Sequence, residues 1–235
     1  MISPENFERI FIKIIDKFKE RKTKGVIKED NSLVTQIDLN VEKALIKFLN
    51  ANFSDIHIIS EENPHSHSKE YNLGKKFAII DPIDGTENFY FFRNIYGSAI
   101  SVVYNSFVYH GIYIPENKII ISSLNINKFK SKKSLITLLS TSCLSFKQKK
   151  INNSYQNYRI LGSSSYMFYL LLSGKANSYL YCGRAKVWDY YTGICLALMS
   201  KKFEIFVDEG PLKIEKIFNN KIKHKLSFKI YNCEK

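Results

Sequence analysis

The sequence of 235 residues lacks several features that would define a class of protein. It has no run of roughly eighteen or more apolar residues, so it predicts no membrane-spanning helix. Its N-terminus has no basic segment followed by an apolar stretch, so we expect no signal peptide. Its four cysteines show no CxxC spacing and are expected to be reduced, mostly structural thiols in a cytoplasmic protein. These cysteines are Cys143, Cys182, Cys195 and Cys233.

Acidic residues are few relative to basic ones. The 22 Asp and Glu against 35 Lys and Arg give a formal net charge of +13, which favours phosphorylated metabolites, nucleic acid or acidic lipids as partners. The basic residues are mostly scattered, which favours compositional drift as the explanation. Two clusters, residues 128–133 and 147–150, are interpreted as solvated surface, and contact with nucleic acid is the less favoured interpretation.

The composition is that of an ordinary globular chain, with 45% hydrophobic and 24% charged residues. Helical and strand patterns occur in both halves, which predicts a mixed α/β or α+β architecture. We expect two parts: an α+β metal-binding domain over residues 1–140, and an α/β domain over residues 141–235 that completes the site.

Apolar spacing predicts the individual elements. Helices are expected to begin at Ser3, near Asp38 and at Thr86, and to span residues 162–172 and 190–199. Short apolar or alternating runs predict strands over residues 57–60, 77–80, 98–103, 107–113, 118–122, 134–139 and 179–181. Two polar segments are interpreted as a loop or short hairpin, residues 22–32, and as a mobile loop, residues 64–74.

Residues 81–86, with the sequence DPIDGT, carry the strongest chemical signal. The apolar run 77–80 before them predicts a buried strand, and Pro82, which cannot donate to a sheet ladder, is expected to end it. Gly85 permits a tight turn, and Thr86 is expected to cap the next helix. Two carboxylates beside a helix N-terminus suit Mg²⁺ and a phosphate group. The alternative, that Asp-Pro and Asp-Gly are ordinary turn dipeptides, is less favoured.

Three further acids stand at the ends of predicted elements. Glu61 follows a strand, Asp38 opens a helix, and Asp189 follows the single tryptophan and opens another helix. Acids at such positions tend to gather at one edge of a layered α/β fold, where two or three divalent ions can assist phosphoryl transfer. Each acid also has an ordinary structural interpretation, since Asp38 and Asp189 are good helix-capping residues and Glu61 suits the surface.

The segments around these acids resemble the inositol monophosphatase superfamily of Mg²⁺-dependent, lithium-sensitive phosphatases. Residues 81–89 (DPIDGTENF) match its DPIDGTxNF pattern throughout. Residues 33–38 (LVTQID) resemble LVTxxD, residues 60–62 (SEE) resemble GEE, and residues 188–193 (WDYYTG) resemble WDxAAG. The resemblance runs in order over residues 5–210 and implies the layered αβαβα sandwich of that superfamily.

The resemblance also implies a ligand set for Mg²⁺. Glu61, Asp81 and the main-chain carbonyl of Ile83 would hold the first ion. Asp81, Asp84 and Asp189 would hold the second ion, and a third, weaker ion would share Glu61. Two or three ions are therefore expected.

The resemblance further implies the catalytic roles. The backbone N–H groups of Gly85 and Thr86 would bind the phosphate, while Thr86 and Asp38 would activate the attacking water, beside Glu61. No covalent phosphoenzyme is expected.

The substrate side departs from the family pattern. Cys182 stands where inositol-specific members carry a Glu that holds substrate hydroxyls, and a neutral thiol is a weak acceptor, which argues against inositol monophosphate. Arg184 and Lys186 are candidates to hold a second anionic group of a bisphosphate or nucleotide. Tyr191 and Thr192 replace two small residues and are expected to reshape the pocket.

The expected function is hydrolysis of a small sugar or polyol phosphate by in-line attack of a Mg²⁺-activated water. One alternative is a 3′-phosphoadenosine 5′-phosphate or fructose-1,6-bisphosphate phosphatase. Another, from a different class, is a catalytically weak phosphatase-fold protein that binds RNA or a protein partner. We expect a small phosphorylated metabolite as partner and no membrane, and the resemblance suggests a homodimer.

Overall fold

Two large β-sheets, with helices between and outside them, form the architecture of the chain. The computed structural model describes residues 2–19, 24–28, 32–63, 68, 70–72, 74–129, 134–145, 157–208, 210–211, 221–223 and 225–233. The expectations for the basic clusters at 130–133 and 147–150 therefore lie outside the described residues.

The bounds of the described elements are as follows. The α-helices are α1 (Pro4–Asp16), α2 (Gln36–Asn52), α3 (Thr86–Phe92), α4 (Ser142–Ser145), α5 (Ser164–Leu172) and α6 (Val187–Ser200), with a 3₁₀ turn at Ile126–Lys128. The strands of the first half are β1 (Gly25–Ile27), β2 (Leu33–Thr35), β3 (His57–Ser60), β4 (Glu70–Asn72), β5 (Lys76–Asp84), β6 (Gly97–Tyr104), β7 (Phe107–Ile114) and β8 (Ile119–Ser122). The later strands are β9 (Thr137–Leu139), β10 (Tyr158–Arg159), β11 (Ser178–Lys186), β12 (Phe203–Val207), β13 (Gly210–Pro211), β14 (Lys221–Lys223) and β15 (Lys225–Asn232).

The described strands pair into two large sheets and two small ones. The five-stranded sheet has the order β3-β5-β6-β7-β8, in which β3 and β5 are parallel and the other neighbours are antiparallel. The six-stranded sheet has the order β10-β9-β11-β15-β12-β13, with β9 parallel to both of its neighbours. Strands β1 and β2 form the expected hairpin, and β4 pairs with β14.

The outer helical layer follows from the apolar stripes of α1 and α2. Ser3 caps α1 by accepting the Asn6 N–H at 3.3 Å, and Pro4 occupies the first turn. One core cluster joins both helices to one face of the five-stranded sheet, and its members include Phe7, Phe11, Ile15, Leu45, Leu49, Ile80 and Ile100. This layer therefore rests on burial of one face of each helix, as the sequence pattern predicts.

Strand β5 is buried on both faces. Phe77 and Ile79 point into the cluster that fills the space between the two large sheets, whereas Ala78 and Ile80 point toward α1 and α2. Successive side chains of a strand alternate between faces, so a strand buried on both sides has a continuous apolar sequence.

Helices α5 and α6 form the inner layer. They pack closely at Gly193, where a Cβ atom would lie 2.3 Å from the ring of Phe168. Tyr191 contacts Phe77 at a ring separation of 5.9 Å, and the Thr192 hydroxyl lies 2.8 Å from that of Ser101. Tyr191 and Thr192 thus pack against the five-stranded sheet.

The order of layers is α1 and α2, the five-stranded sheet, α5 and α6, the six-stranded sheet, and α4 with a small cluster around Cys143. This confirms the αβαβα sandwich. The division of the chain at residue 140 stays a prediction; strand β9 already belongs to the six-stranded sheet.

Strand β5 does not end at Pro82, which corrects the expectation from the sequence. It continues to Asp84, with a register shift against β6 between Asp81 and Asp84. The Ser98 hydroxyl donates to the Pro82 carbonyl at 2.5 Å. The irregular pairing accommodates a residue that has no N–H to donate.

Two further expectations are wrong. The segment 64–74 includes strand β4, so it is not simply a loop, although residues 64–67 lie outside the described residues. Cys143 and Cys182 form a disulfide, with their Cα atoms 4.8 Å apart, so they are not reduced thiols. They meet because Leu139 and Leu180 are partners on the parallel strands β9 and β11. Of the other two cysteines, Cys195 is buried and Cys233 exposed, and both are free thiols.

Candidate active site

Asp81 lies on β5 with only 1% of its surface exposed. Among the described residues, neither of its carboxylate oxygens has a hydrogen-bond partner. Burial, followed by the negative charges of Glu61 and Asp84, raises the pKa of Asp81 well above its usual range. Burial of a carboxylate that accepts no hydrogen bond costs free energy of folding. Asp81 therefore destabilises the metal-free fold.

Asp84 lies three residues further along and is held from the other side by the start of α5. Its Oδ2 accepts a hydrogen bond from the Ser163 hydroxyl at 3.0 Å and another from the Ser165 N–H. Burial raises the pKa of Asp84, and the bonds from α5 oppose that rise. The start of α5 therefore orients Asp84.

Asp189 lies in the first turn of α6. Its Oδ2 accepts the Lys186 N–H at 3.0 Å, which closes the first turn of the helix. Burial, and then the charge of Asp84, raises the pKa of Asp189 to about 7. Ligand atoms of Asp81, Asp84 and Asp189 all lie within 4.8 Å of one another, and we call these three residues the aspartate group.

Glu61 follows β3, the parallel neighbour of β5. The pairing of Ser60 with Ile80 places Glu61 beside Asp81 along the sheet edge. Glu61 lies outside the 4.8 Å group, but burial, and then the charge of Asp189, raises its pKa to about 8. The acids predicted from separate segments are thus brought to the same edge of the five-stranded sheet.

Asp38 occupies a second, adjoining position that we call the Asp38 site, formed with Thr35 and Thr86. Asp38 Oδ2 accepts the Thr35 N–H at 2.9 Å and also the Thr35 hydroxyl, within a capping box at the start of α2. Its other oxygen accepts from the Thr86 hydroxyl at 2.9 Å. Burial raises the pKa of Asp38 to about 6, and the bonds from both threonines limit that rise.

Gly85 makes the turn from β5 into α3. Its φ of +86° belongs to the left-handed region, and a Cβ atom would lie 2.8 Å from the Cβ of Ser163. Gly85 is the N-cap of α3, and Thr86 is the first helical residue, which corrects the expected order. The Thr86 hydroxyl also lies 3.0 Å from the carbonyl of Ile83, the predicted main-chain ligand.

The aspartate group fits a divalent cation. Both oxygens of Asp81 are buried without a donor, and the three carboxylates offer the hard oxygen ligands that Mg²⁺ or Ca²⁺ prefers. A cation would neutralise the like charges and complete the missing interactions of Asp81. The metal role of Asp81, Asp84 and Asp189 stays a prediction, which this donor set supports.

The residues predicted to bind the substrate, Cys182 and Arg184, are not placed at the site by the described structure. The Cys182 sulfur is bonded to Cys143, and Cys182 packs with Leu139 and Leu180 in the small outer cluster. Its preceding neighbour Tyr181 packs instead with the main core. Cys182 is therefore not a free thiol available to a substrate. The side chain of Arg184 lies outside the described residues.

Sequence reasoning did not assign several residues that the structure brings to the site. Asn88 donates to the carbonyls of Leu161 at 2.7 Å and Ile95 at 3.0 Å, which holds the start of α5 against α3. Ser163 then reaches Asp84. The only local signal was a serine before a helix, since these contacts join distant segments.

The layered sandwich and the carboxylates at one sheet edge define a protein of the sugar-phosphatase fold class. The model that describes the inositol monophosphatase family matches residues 6–198, and the chain belongs to this family.

Curated relatives are similar over shorter or more divergent stretches. The chain is 38% identical over 77 residues to the 3′(2′),5′-bisphosphate nucleotidase CysQ of Haemophilus influenzae, a match that covers 33% of this chain and only 29% of the relative. It is 26% identical over 203 residues to the Nus factor SuhB of Pasteurella multocida, covering 77% of this chain and 74% of that protein. A CysQ of Buchnera aphidicola is 26% identical over 73% of this chain and 70% of that protein.

Solved structures are similar in fold. An IMPase/NADP phosphatase, crystallised with NADP and Ca²⁺, has a TM-score of 0.76 at 17% identity, covering 97% of this chain and 88% of its own. Staphylococcal inositol monophosphatase-1, from a crystal soaked in LiCl, has a TM-score of 0.75 at 15% identity, covering 99% and 92%. These similarities confirm the predicted fold.

Proposed function

We propose that this chain is a Mg²⁺-dependent phosphomonoesterase that acts on a small phosphorylated metabolite. The observation that carries the proposal is the buried Asp81 carboxylate, which has no donor among the described residues and lies within 4.8 Å of ligand atoms of Asp84 and Asp189. Family membership supports the same chemistry.

The aspartate group would hold Mg²⁺, with Glu61 and the Ile83 carbonyl as further ligands, and two or three ions are expected. When bound, such ions make water a stronger nucleophile and neutralise charge on the attacking and leaving oxygens. Three elements would supply these carboxylates: β5 carries Asp81 and Asp84, α6 carries Asp189, and Glu61 follows β3.

The phosphate would lie against the turn at Gly85 and Thr86. The first intrahelical bond of α3 runs from the Phe89 N–H to the Gly85 carbonyl at 2.9 Å, so the N–H groups before it have no partner within the helix. The absence of a side chain at Gly85 allows close approach to the backbone. Together these features suit an anionic oxygen.

The Asp38 site would accept the proton of the attacking water. The Thr86 hydroxyl donates to Asp38, so its lone pairs are available to accept a hydrogen bond from water. With a pKa of about 6, Asp38 is a carboxylate at neutral pH and can take the hydroxyl proton as Thr86 takes one from water. The new P–O bond forms as the ester P–O bond breaks, which releases phosphate and an alkoxide that takes a proton from solvent water to become the alcohol.

For the substrate we infer a nucleotide bisphosphate in preference to a polyol phosphate. Cys182, at the position of the family's polyol-binding glutamate, is tied up in a disulfide. The matched relatives of Haemophilus influenzae and Buchnera aphidicola are both named as bisphosphate nucleotidases. Lys186, next to the aspartate group, is a candidate cation for the second phosphate.

The test is phosphate release from 3′-phosphoadenosine 5′-phosphate, inositol 1-phosphate and fructose 1,6-bisphosphate, each with Mg²⁺ and with EDTA. We expect Mg²⁺-dependent release, fastest from the nucleotide, and loss of release in Asp84→Asn. Asp55→Asn is the matched control, because Asp55 is an exposed residue in a left-handed turn where asparagine is also well tolerated. Release that survives unchanged in Asp84→Asn would show that the metal assignment is wrong.

A second candidate function is binding of RNA or a protein partner. It is favoured by the net charge of +13 and by the similarity to a protein named as a Nus factor. RNA binding that weakens steeply with salt would support it, and binding that is absent at low salt would remove it.

A homodimer and a cytoplasmic location also stay predictions, which gel filtration and cell fractionation can check. Among the described helices, none has both the length and the apolar character needed to cross a bilayer.

A further inference from the structure

Lys28 lies at the end of β1, on the β1–β2 hairpin, and reaches toward the acids of the site. Its Nζ lies 2.6 Å from Glu62 Oε2, and the Glu62 side chain is only 4% exposed. The hairpin is closed at this point by the Lys28 N–H, which donates to the Ser32 carbonyl at 2.8 Å. A lysine ammonium on the hairpin is thus held against a nearly buried carboxylate.

Glu62 directly follows Glu61, the predicted metal ligand beside Asp81. Lys28 therefore sits at the outer end of the carboxylate cluster. Burial raises the pKa of both Glu61 and Glu42, and the positive charge of Lys28 partly opposes that rise. Glu42 is a further buried acid, one turn after Asp38 on α2. In the metal-free protein this ammonium supplies part of the positive charge that the carboxylates require.

We propose that Lys28 competes with divalent cations for the Glu61–Glu62 end of the site. The ammonium and a bound cation would both be attracted to the same carboxylates and would repel each other. Cation binding would then displace Lys28, together with its hairpin, from Glu62. This inference rests on the proposed function, since it requires that the carboxylates bind a divalent cation.

The hairpin also connects this competition to catalysis. Strand β2 runs directly into α2, and its last residue Thr35 caps the helix and binds Asp38. A hairpin displaced at Lys28 would remain anchored at Thr35. The structure thus offers a direct link between the loading of the metal site and the Asp38 site.

The test is calorimetric titration of Mg²⁺ alone into wild type, Lys28→Gln and Lys28→Arg, with Lys47→Gln as the control. Lys47 is an exposed residue of α2, nine positions beyond Asp38, so its substitution makes the same change of net charge away from the cluster. Glutamine keeps a hydrogen-bond donor on the side chain but removes the charge. We expect Lys28→Gln to bind Mg²⁺ about tenfold more tightly than wild type, because one opposing charge is removed. Lys28→Arg and the control should match wild type.

Melting temperatures supply a second readout. Lys28→Gln should melt below wild type in EDTA and at the wild-type temperature in saturating Mg²⁺, because the cation replaces the ammonium. An equal deficit in both conditions would mean that Lys28 is only a structural clamp. Unchanged or weaker Mg²⁺ binding by Lys28→Gln, or tighter binding by Lys28→Arg as well, would overturn the proposal while leaving the metal site intact. A wild-type protein that binds no Mg²⁺ would instead overturn the proposed function and this inference together.

Discussion

The Asp38 site and the aspartate group adjoin each other, yet they differ in the hydrogen bonds that they provide to a buried carboxylate. Asp38 and Asp81 are each 1% exposed. Asp38 accepts hydrogen bonds from Thr35 and Thr86, whereas Asp81 has no donor among the described residues. The carboxylate of the first region is satisfied by hydrogen bonds within the protein, and we expect a bound cation to satisfy that of the second.

The comparison separates stability from function. A buried carboxylate that accepts hydrogen bonds can stabilise the fold as well as serve a reaction. A buried carboxylate without hydrogen bonds lowers the stability of the fold, so a role in the reaction is the reason we infer for its presence. Substitution of Asp38 and substitution of Asp81 should therefore both lower activity, but should change the stability of the metal-free fold in opposite directions.

The largest effect is expected for Asp81→Asn. Phosphate release should fall at least about a thousandfold, more than the 10–100-fold typical for outer partners of a metal. In EDTA the melting temperature of the variant should rise by about 3 °C. Ionisation of the buried Asp81 carboxyl favours the unfolded chain, and the variant no longer carries that carboxyl. Calorimetry of wild type and variant at pH 8 measures this. A variant that melts at a lower temperature than wild type would contradict the claim that the Asp81 carboxylate destabilises the metal-free fold.

Asp38→Asn should lower phosphate release by about a hundredfold, as expected for loss of a general base. Its effect on the fold should have the opposite sign to that of Asp81→Asn, with a loss of about 1 kcal/mol, because the NH2 group of asparagine would face the donor of Thr35 or of Thr86 that a carboxylate oxygen now accepts. Urea unfolding in EDTA measures this difference, and Asp55→Asn serves as the exposed control. Stabilisation by Asp38→Asn would contradict the assignment of Asp38 as a satisfied group.

Ser163→Ala tests how Asp84 is oriented within the aspartate group. It removes the hydroxyl that orients Asp84, so Mg²⁺ should bind about tenfold more weakly. Ser163→Thr, which keeps the hydroxyl, should restore binding. A purely structural role would lower the melting temperature in both variants without this difference in affinity, which titration calorimetry would reveal.

The last prediction concerns the pH dependence of the metal-free fold. Burial raises the pKa of Glu61 to about 8 and that of Asp189 to about 7, so the folded protein binds more protons than the unfolded chain between about pH 4 and pH 8. The free energy of unfolding in EDTA should therefore fall as the pH rises through this window. Saturating Mg²⁺ should reverse the trend, because the ions bind the deprotonated carboxylates. A metal-free fold that gains stability from pH 4 to pH 8 would contradict this.

Much of this arrangement could be predicted from local sequence. Ser3 and Thr35 cap their helices as expected, and the apolar run before Asp81 forms a strand buried on both faces. The acids at the ends of β3 and β5 and at the start of α6 converge because such ends meet at one edge of a layered fold.

The contacts that were not predicted join segments far apart in the chain. The disulfide links residues 39 positions apart, and Ser163 meets Asp84 across 79 positions. No local spacing encodes either pairing. Pro82 was expected to end its strand because a local rule ignores the register shift that tertiary pairing with β6 imposes.

The most direct test of the account is the melting temperature of the wild-type protein at pH 7.5 over increasing Mg²⁺ concentration. If the aspartate group is held for a divalent cation, the melting temperature rises steadily with Mg²⁺, because the ion binds the folded protein and not the unfolded chain. A melting temperature that does not change with Mg²⁺ would contradict the metal site and the phosphatase function built on it.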